Sequence, residues 1–573
     1  MKQFAAFVIV VVLLARLGAA MAGESFQFKT RALWVDLDSF ATTEAADRTL
    51  ARCARAGINT ILPNVMYRGN LAFKSPHFHG RVLANDRFDP LACLLRKAHA
   101  AGIQVQAWCC VYYEGAGRLS KPEWLTRSFD GHPFEQNFLS PAHPEVNPYL
   151  LPVITDLLAY DIDGIHLDYI RYPGTAYDYS EAARKAFQAS GGFDPMDFLD
   201  HSERIVPIEK EPFPIRVLHA KSQVEKVWET TAIERTLDQA GLGFAFVSET
   251  PDNIAALRTP ALLILSSFRE VSPAMLAALG KYVEHGGNLL WSDVPTGMLR
   301  TNVALQKLTG LAGGEWKAKQ RLLLQAVADH PLARLVPTQP FGAVVASATG
   351  LNGAQLIARL ESGEPAITLN LVGKGRVLVL GFDAMESTAD QTVSLIKDIV
   401  EWFRTQAGVA GPDLLAAKRA EWANWRGEQV TRLVRSVSEA VRRKNPKLVV
   451  TSSGGPSPRE FYACYRDARR WLAENINDSV FPMNYTPDPA ELEEMLETQA
   501  RFAPPTKFDR IFPGLQIYQS TVVNGRKVSR PADPAIVEQE LRLVQQHGYQ
   551  GFCLFACNFL SDEIIDVVRK FSG

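Results

Sequence analysis

Apolar positions in this chain fall into short, dense runs separated by longer stretches with helical spacing. From residue 31 the dense runs are RALWVDLD (31–38), INTILPNVMY (58–67), IQVQAWCCVYY (103–113) and GIHLDYIRYP (164–173), and between them lie helical segments such as DPLACLLRKAHAAG. Dense runs alternating with amphipathic segments predict parallel strands joined by crossover helices. The pattern then changes register and resumes after residue 412 with the helix LLAAKRAEWANWRGEQVTRLVRSVSEAVRRKNP, followed by LVVTSSGG (448–455), SVFPMNYT (479–486), RIFPGLQIYQS (510–520) and GFCLFACNFL (551–560). Four strands before the interruption and four after it predict an α/β protein, a (β/α)₈ barrel split after its fourth strand. The expected halves are residues 23–197 and 413–573.

The interruption, residues 198–412, has strand runs of its own: FAFVSE (244–249), ALLILSS (261–267), NLLWSD (288–293) and VLVLGFD (377–383). Gly-rich entries such as HGGNLLWSD and GKGRVLVLGFD suit an open, doubly wound sheet. The expectation is a separate α/β domain set into the barrel chain.

The N-terminus changes the picture of where the protein works. MKQ is followed by an apolar run from Phe4 to Ala15 and then RLGAAMAG, a basic start, a short hydrophobic centre and a small-residue cleavage site. Cleavage is expected after Ala22, giving a leader at 1–22 and a periplasmic or extracellular protein. The run is shorter than the ~20 apolar residues that cross a bilayer, so no stable membrane span is expected after cleavage. Lys plus Arg total 61 against 62 for Asp plus Glu, which leaves no overall field to draw in nucleic acid. Seven cysteines, unevenly spaced and without CxxC or HExxH patterns, point to buried thiols; neither a structural metal nor a cofactor is expected.

The chemistry begins with DIDGIHLDYIRYPG (161–174). Alternate side chains of a barrel strand point inward and outward. With Ile165, Leu167 and Tyr169 outward, His166 and Asp168 face the interior, and Asp168 lies toward the C-terminal end, where the active sites of such barrels sit. An unpaired carboxylate buried there would cost several kcal/mol, so a carboxylate at this position either binds a neighbour such as Arg171 or does chemistry. The same parity offers Asp36 and Asp38 on the first strand and Glu114 on the third, after Trp108 and Tyr112. Glycoside hydrolysis uses two carboxyl groups. With Asp168 as one, Glu114 is the first choice for the acid and Asp36 the second. Strand ends elsewhere carry amides, aromatics and an arginine suited to sugars: Asn64, Arg68, Asn484, Tyr485, Gln516, Tyr518 and Asn558. Trp422 and Trp425, three apart on a helix, read as core.

These motifs resemble the glycosyl-hydrolase-like family ten, bacterial envelope proteins with a split barrel. The matching stretches are RALWVDLDS, GINTILPNVMYRGNLAFKSP, DPLACLLRKAHAAGIQVQAWCCVYY, LSPAHPEVNPYLLPVITDLLAYDIDGIHLDYIRYPG, YDYSEAARKAF and WANWRGEQVTRLVRSV. The resemblance implies cleavage of glycosidic bonds, including those of peptidoglycan strands stripped of peptides, so the implied partner is a polysaccharide. The interruption is not part of the usual family pattern. It resembles class I glutamine-amidotransferase-like domains, but no Cys stands between Cys110 and Cys464 to serve as their nucleophile. Gly164 to Asp168 also resembles the fourth-strand Gly-Phe-Arg-x-Asp of amylase-type retaining glycosidases, with His166 in place of Arg. That departure leaves open whether Asp168 attacks. A non-catalytic glycan-binding protein on the same barrel is the alternative.

Overall fold

The structure is a computed structural model, and it describes residues 26–115, 121–190, 192–219, 228–266, 268, 270–327, 329–385, 387, 389–523 and 526–572. The expected leader lies outside the described residues.

Eight parallel strand positions form the barrel: Thr30–Val35, Thr60–Tyr67, Gln104–Cys110, Gly164–Asp168, Val449–Ser453, a sixth in two pieces (Ser479–Phe481 and Met483–Asn484), Gly514–Gln516 and Gly551–Phe555. They pair in that order, and the eighth returns to the first with Ala32 opposite Cys553. The sixth breaks at Pro482, which has no N–H for the ladder; its carbonyl still accepts from the Gly514 N–H at 2.7 Å and carries the pairing across. The fourth strand is entered through Gly164, where a Cβ would lie 2.5 Å from Val449. Just before it, the Asp163 carboxylate accepts from the Val105 N–H at 2.7 Å and fastens the strand to the third. The Asp-Gly pair therefore sets strand spacing and register.

Between the fourth and fifth barrel strands, which are direct neighbours with His166 opposite Thr451, the chain builds a second sheet of eight strands. Five are parallel, in the spatial order Gly375–Leu380, Asn288–Ser292, Leu262–Ser266, Ile215–His219, Ala245–Ser248. Pro365–Val372, Gln355–Leu360 and Leu324–Ala326 extend it antiparallel. Alternation is strict in its centre: Leu262, Ile264, Leu378 and Leu380 bury on one face and Leu263, Leu265, Val377 and Val379 on the other. Both faces are covered, as a doubly wound sheet requires. A separate antiparallel ribbon, Glu315–Leu322 with Phe341–Ser347, packs on the sheet's core through Phe341, Ala343 and Val345 and leaves Glu315–Leu322 largely exposed.

The 31-residue helix Leu414–Lys444 joins the two bodies. Its Arg419 is buried against Glu234 and Asp238 of the helix Trp228–Gln239. Seven residues on, fully buried Arg426 donates to the carbonyls of Thr175 and Tyr177, pinning the loop that follows the fourth barrel strand. Trp422 is buried and stacks on Trp425, 5.4 Å between centroids, as core. All seven cysteines are free and buried. Among the described residues, no helix is long and apolar enough to cross a membrane.

Candidate active site

The barrel interior is filled from below by Trp34, whose indole occupies the space opposite Gly514; a Cβ on that glycine would lie 2.7 Å from the ring. Trp34 Nε1 donates to His166 Nε2 at 3.4 Å, His166 Nδ1 lies 3.0 Å from Thr451 Oγ1, and Thr451 donates to Gln106 Oε1 at 2.9 Å. The directions agree only if the imidazole carries its proton on Nδ1. Burial pushes the His166 pKa down to about 4, with Arg466 adding to the effect and Asp168 opposing it, so the ring is neutral at physiological pH.

Asp168 sits one layer above. Its Oδ1 accepts from Ser453 Oγ at 2.5 Å and from the Tyr169 N–H at 2.6 Å, and its Oδ2 from Trp108 Nε1 at 3.1 Å. Three donors converge on this carboxylate, which suits an acceptor role in catalysis, as nucleophile or base. Ser453 in turn accepts from Arg466 Nη1 at 3.2 Å, and Arg466 grips Glu460. Burial would raise the Glu460 pKa, but the charge and hydrogen bond of Arg466, with Arg459, hold it below the usual carboxylate range. Gly454 makes room for this arrangement at φ 98°, since a Cβ there would lie 2.2 Å from the Arg466 guanidinium.

Aromatic rings line the mouth. Phe555, at the end of the eighth strand, has Trp34, Trp108, Tyr485 and Tyr518 within 5.2 to 6.3 Å between centroids. A second aromatic group forms a rim over the third and fourth strands. Tyr113 stacks on Tyr169 at 4.6 Å, and Tyr169 holds φ 47°, an uncommon backbone conformation for a bulky residue. The guanidinium of Arg68 lies over Tyr67 and Tyr113, and that of Arg171 over Phe138 and Tyr169.

The expected site residues separate into groups. Asp168, Trp108, Tyr485 and Tyr518 gather at the mouth, His166 lies a layer below them against Trp34, and Gln516 shares the inward parity of Gly514. Asn64 is buried beside Cys110, with Nδ2 3.7 Å from the thiol and Oδ1 lacking a hydrogen-bond partner. Arg68 and Arg171 belong to the rim. Arg171 does not bond Asp168; it donates to the Tyr172 carbonyl at 2.9 Å.

Tyr112 is a correction. It is fully buried with its hydroxyl donating to Asn147 Oδ1 at 2.8 Å, on the helix Val146–Thr155 and away from the mouth. Strand alternation fails there because pairing ends at Cys110 opposite Asp168, after which Tyr112 follows the turn made by Tyr169.

Glu114 is buried at 8% exposure, its charge acts on Tyr149, and the neighbouring Gly115 abuts Arg68. Asp36 precedes the turn Leu37–Ser39, and its carboxylate accepts from Ser39 Oγ at 2.9 Å. Asp38 and Asn558 are exposed on short 3-10 turns. Asn484 turns to the outer helix Pro489–Phe502, accepting from Gln499 Nε2 at 2.8 Å. Sequence reasoning missed Trp34, Ser453, Arg466, Glu460 and Phe555. Only Gly454 hinted at the first contact across the fourth and fifth strands, as a Gly-Gly pair closing a strand. On the outer helices, Glu493, Glu497 and His547 bring potential ligand atoms within 4.8 Å of one another at a largely exposed position.

A parallel α/β barrel with a donor-clasped carboxylate at its aromatic mouth is thus the class of protein that the fold and site define. A model of the family described as glycosyl hydrolase-like 10 matches residues 29–204, the stretch holding the first four barrel strands and Asp168. The glycosyl hydrolase DigH of Escherichia coli (strain K12) is 26% identical over 161 residues, covering 23% of this chain and 36% of DigH, and DigH of Shigella flexneri gives the same figures. The chain spans about a third of the length of the curated relatives it matches. Among solved structures, the catalytic domain of β-amylase from Paenibacillus polymyxa is similar over 96% of this chain and 98% of that one, at 10% identity and a TM-score of 0.40. The β-galactosidase of Rahnella sp. R3 is similar over 67% and 89% at 9% identity, TM-score 0.27.

Proposed function

We propose that this protein is an exported glycoside hydrolase, released by cleavage after Ala22, that cuts a polysaccharide, peptide-free peptidoglycan strands among the candidates, at the C-terminal mouth of its barrel. The observation that carries the reading is Asp168, a buried carboxylate held by three donors beneath a ring of aromatic faces on which pyranose rings can stack. Asp168 serves as nucleophile or base. Glu114, buried at the end of the third strand beside the Arg68 loop, is the first choice for the acid that protonates the leaving oxygen, and Asp36 the second. Tyr485, Tyr518, Trp108 and Phe555 position the sugar. The inserted sheet is amidotransferase-like in architecture without that chemistry, because it lacks a nucleophilic cysteine, and it serves the barrel.

The alternative is a glycan-binding protein without turnover, and it draws on the second carboxyl group: Asp36 is already engaged by Ser39, and the charge of Glu114 acts on Tyr149. The deciding experiment is mass spectrometry of products after incubation with peptide-free peptidoglycan strands and a panel of α- and β-glucans. Wild type should release oligosaccharides from at least one, and Asp168→Asn should bind the same glycan with turnover down by roughly 10³, about 4 kcal/mol of barrier. Near-native turnover in Asp168→Asn removes Asp168 from the mechanism, and wild-type binding without products establishes the alternative.

A further inference from the structure

A cavity of about 430 Å³ lies between the inserted body and the barrel, over the ends of the fifth and sixth strands. The ribbon of the insert contributes Lys319 and Arg321, and the barrel contributes Arg459, Asn484, Glu494 and Gln499. Three of these polar groups carry buried atoms with no partner: Arg459 Nε, Asn484 Nδ2 and Gln499 Oε1. Asn484 is 2% exposed and Gln499 8%, so water does not readily relieve them. Such orphaned groups cost about 1–3 kcal/mol each, and they gather just beneath one cavity wall, where a small side-chain adjustment would bring them to a ligand.

The charges define what that ligand is. Lys319 is paired with Glu491 at 3.2 Å, Asp390 with Arg501 at 2.6 Å, and Glu460 with Arg466. That leaves two cations, Arg321 and Arg459, and two anions, Asp488 and Glu494, none of them in an ion pair with a described residue, with Arg321 acting on Glu494 and Glu494 on Arg459, so the unpaired charges on the wall balance. A free anion would meet Glu494 and a free cation would meet Arg459. The orphaned groups are two donors, Arg459 and Asn484, and one acceptor, Gln499, and the half-buried Glu494 adds a second acceptor. An uncharged molecule whose groups each donate and accept satisfies both kinds, and hydroxyls do this.

We propose that this cavity is a subsite for an uncharged saccharide unit of the glycan, built jointly by the insert and the barrel and remote from the bond that is cut. The inference rests on reading the barrel as a glycan-handling site. Its place supports the connection: Gly455 lines the cavity two residues beyond Ser453, and Glu460, also on its wall, grips the Arg466 that donates to Ser453. Binding energy gained on a remote unit can be used at the reacting centre, and the insert thereby acquires a role in choosing long chains over short ones.

The test uses the full chain with cellohexaose, maltohexaose, chitohexaose and peptide-free peptidoglycan strands as probes. Calorimetric affinities are measured in the Asp168→Asn background, and KM and kcat in the active protein. Arg459→Ala should weaken binding of the best probe by ~10-fold or more and raise its KM. Arg321→Ala, on the exposed strand Glu315–Leu322 and outside the Asp168 network, should shift the same KM by a smaller factor while leaving hydrolysis of a short aryl glycoside unchanged. Unchanged affinity and KM in both variants, with Asp168-dependent cleavage intact, would overturn the subsite and leave the glycosidase reading standing. Binding that depends on Arg459 in a protein that cleaves nothing would keep the subsite and remove the glycosidase reading. Failure of all four probes to bind overturns the subsite.

Discussion

Ser453 Oγ donates to Asp168 Oδ1 at 2.5 Å, although the two residues are 285 apart in the chain. The fourth and fifth barrel strands pair directly, so the interruption between them leaves the centre of the site intact. Ser453 also receives a hydrogen bond from Arg466, and so transmits a fixed cation to the carboxylate without a direct ion pair. Ser453→Ala removes a hydrogen bond to a charged acceptor, worth about 1.5–3 kcal/mol. Turnover on whichever glycan is cleaved should fall by roughly 10- to 100-fold, with the thermal midpoint little changed. The double variant with Asp168→Asn should lose little beyond Asp168→Asn alone, because the serine acts through the carboxylate. Equal fold losses in the two backgrounds would show that Ser453 works independently of Asp168.

Asp168 and the barrel were legible in the sequence for one physical reason. Strands buried on both sides are dense apolar runs, and within GIHLD only parity is needed to send His166 and Asp168 inward. The partners were hidden for equally physical reasons. Ser453 touches Asp168, and Arg466 touches Ser453, through pairing that no local pattern encodes. Trp34 and Phe555 sit in apolar runs that read as ordinary core, and only the register of the closed barrel turns them toward the mouth. Tyr112 misled because alternation was extended past Cys110, where the ladder stops. In the insert, four of the five parallel strands were visible as apolar runs; Ile215–His219 was missed because Arg216 and His219 interrupt its run, and Glu315–Leu322 exposes most of its side chains and carries no such signal.

His166 should report its environment directly. Burial holds its pKa at about 4, below the ordinary 6.5. Between those values the unfolded chain binds a proton that the folded one does not, so this group's contribution to stability is complete above pH 6.5 and is lost as pH falls toward 4. Nitrogen-15 NMR of histidine-labelled protein should show one imidazole fixed with its proton on Nδ1 and titrating only as the pH falls below about 5. A His166 resonance titrating near 6.5, or protonated on Nε2, would contradict the relay from Trp34 through Thr451 to Gln106.

The junction of the two bodies is expected to be sensitive at Arg419. Its guanidinium lies 2.9 Å from Glu234 and 2.5 Å from Asp238, with both partners and the arginine nearly inaccessible to solvent. Arg419→Ala abandons two buried carboxylates and should cost about 3–5 kcal/mol in urea unfolding. Replacing all three residues by apolar side chains of similar volume should restore most of that loss, since the desolvation penalty goes with the charges. A triple variant as unstable as Arg419→Ala would mean that the guanidinium matters for its packing over Phe244, 3.5 Å from the ring centroid, more than for its charge.

Glu540 is the last case, and here burial acts alone. It lies on the inner face of the helix Pro534–Gln546 with Val537, Leu541 and Val544, is 1% exposed, and its Oε2 has no hydrogen-bond partner. Desolvation of the charged form raises its pKa from 4.5 to about 8. The folded protein therefore holds a proton there that the unfolded chain has released, and stability falls as pH rises from 4.5 through 8, at most by about 1.4 kcal/mol per pH unit for a single group. Glu540→Gln keeps the shape and removes the titration. Measured as the difference in unfolding free energy between the variant and wild type, its advantage should be smallest near pH 5 and grow steadily to pH 8 or 9. Parallel stability curves across that range would show that the Glu540 carboxylate finds a compensating partner or reaches water, and would place its pKa in the ordinary carboxylate range.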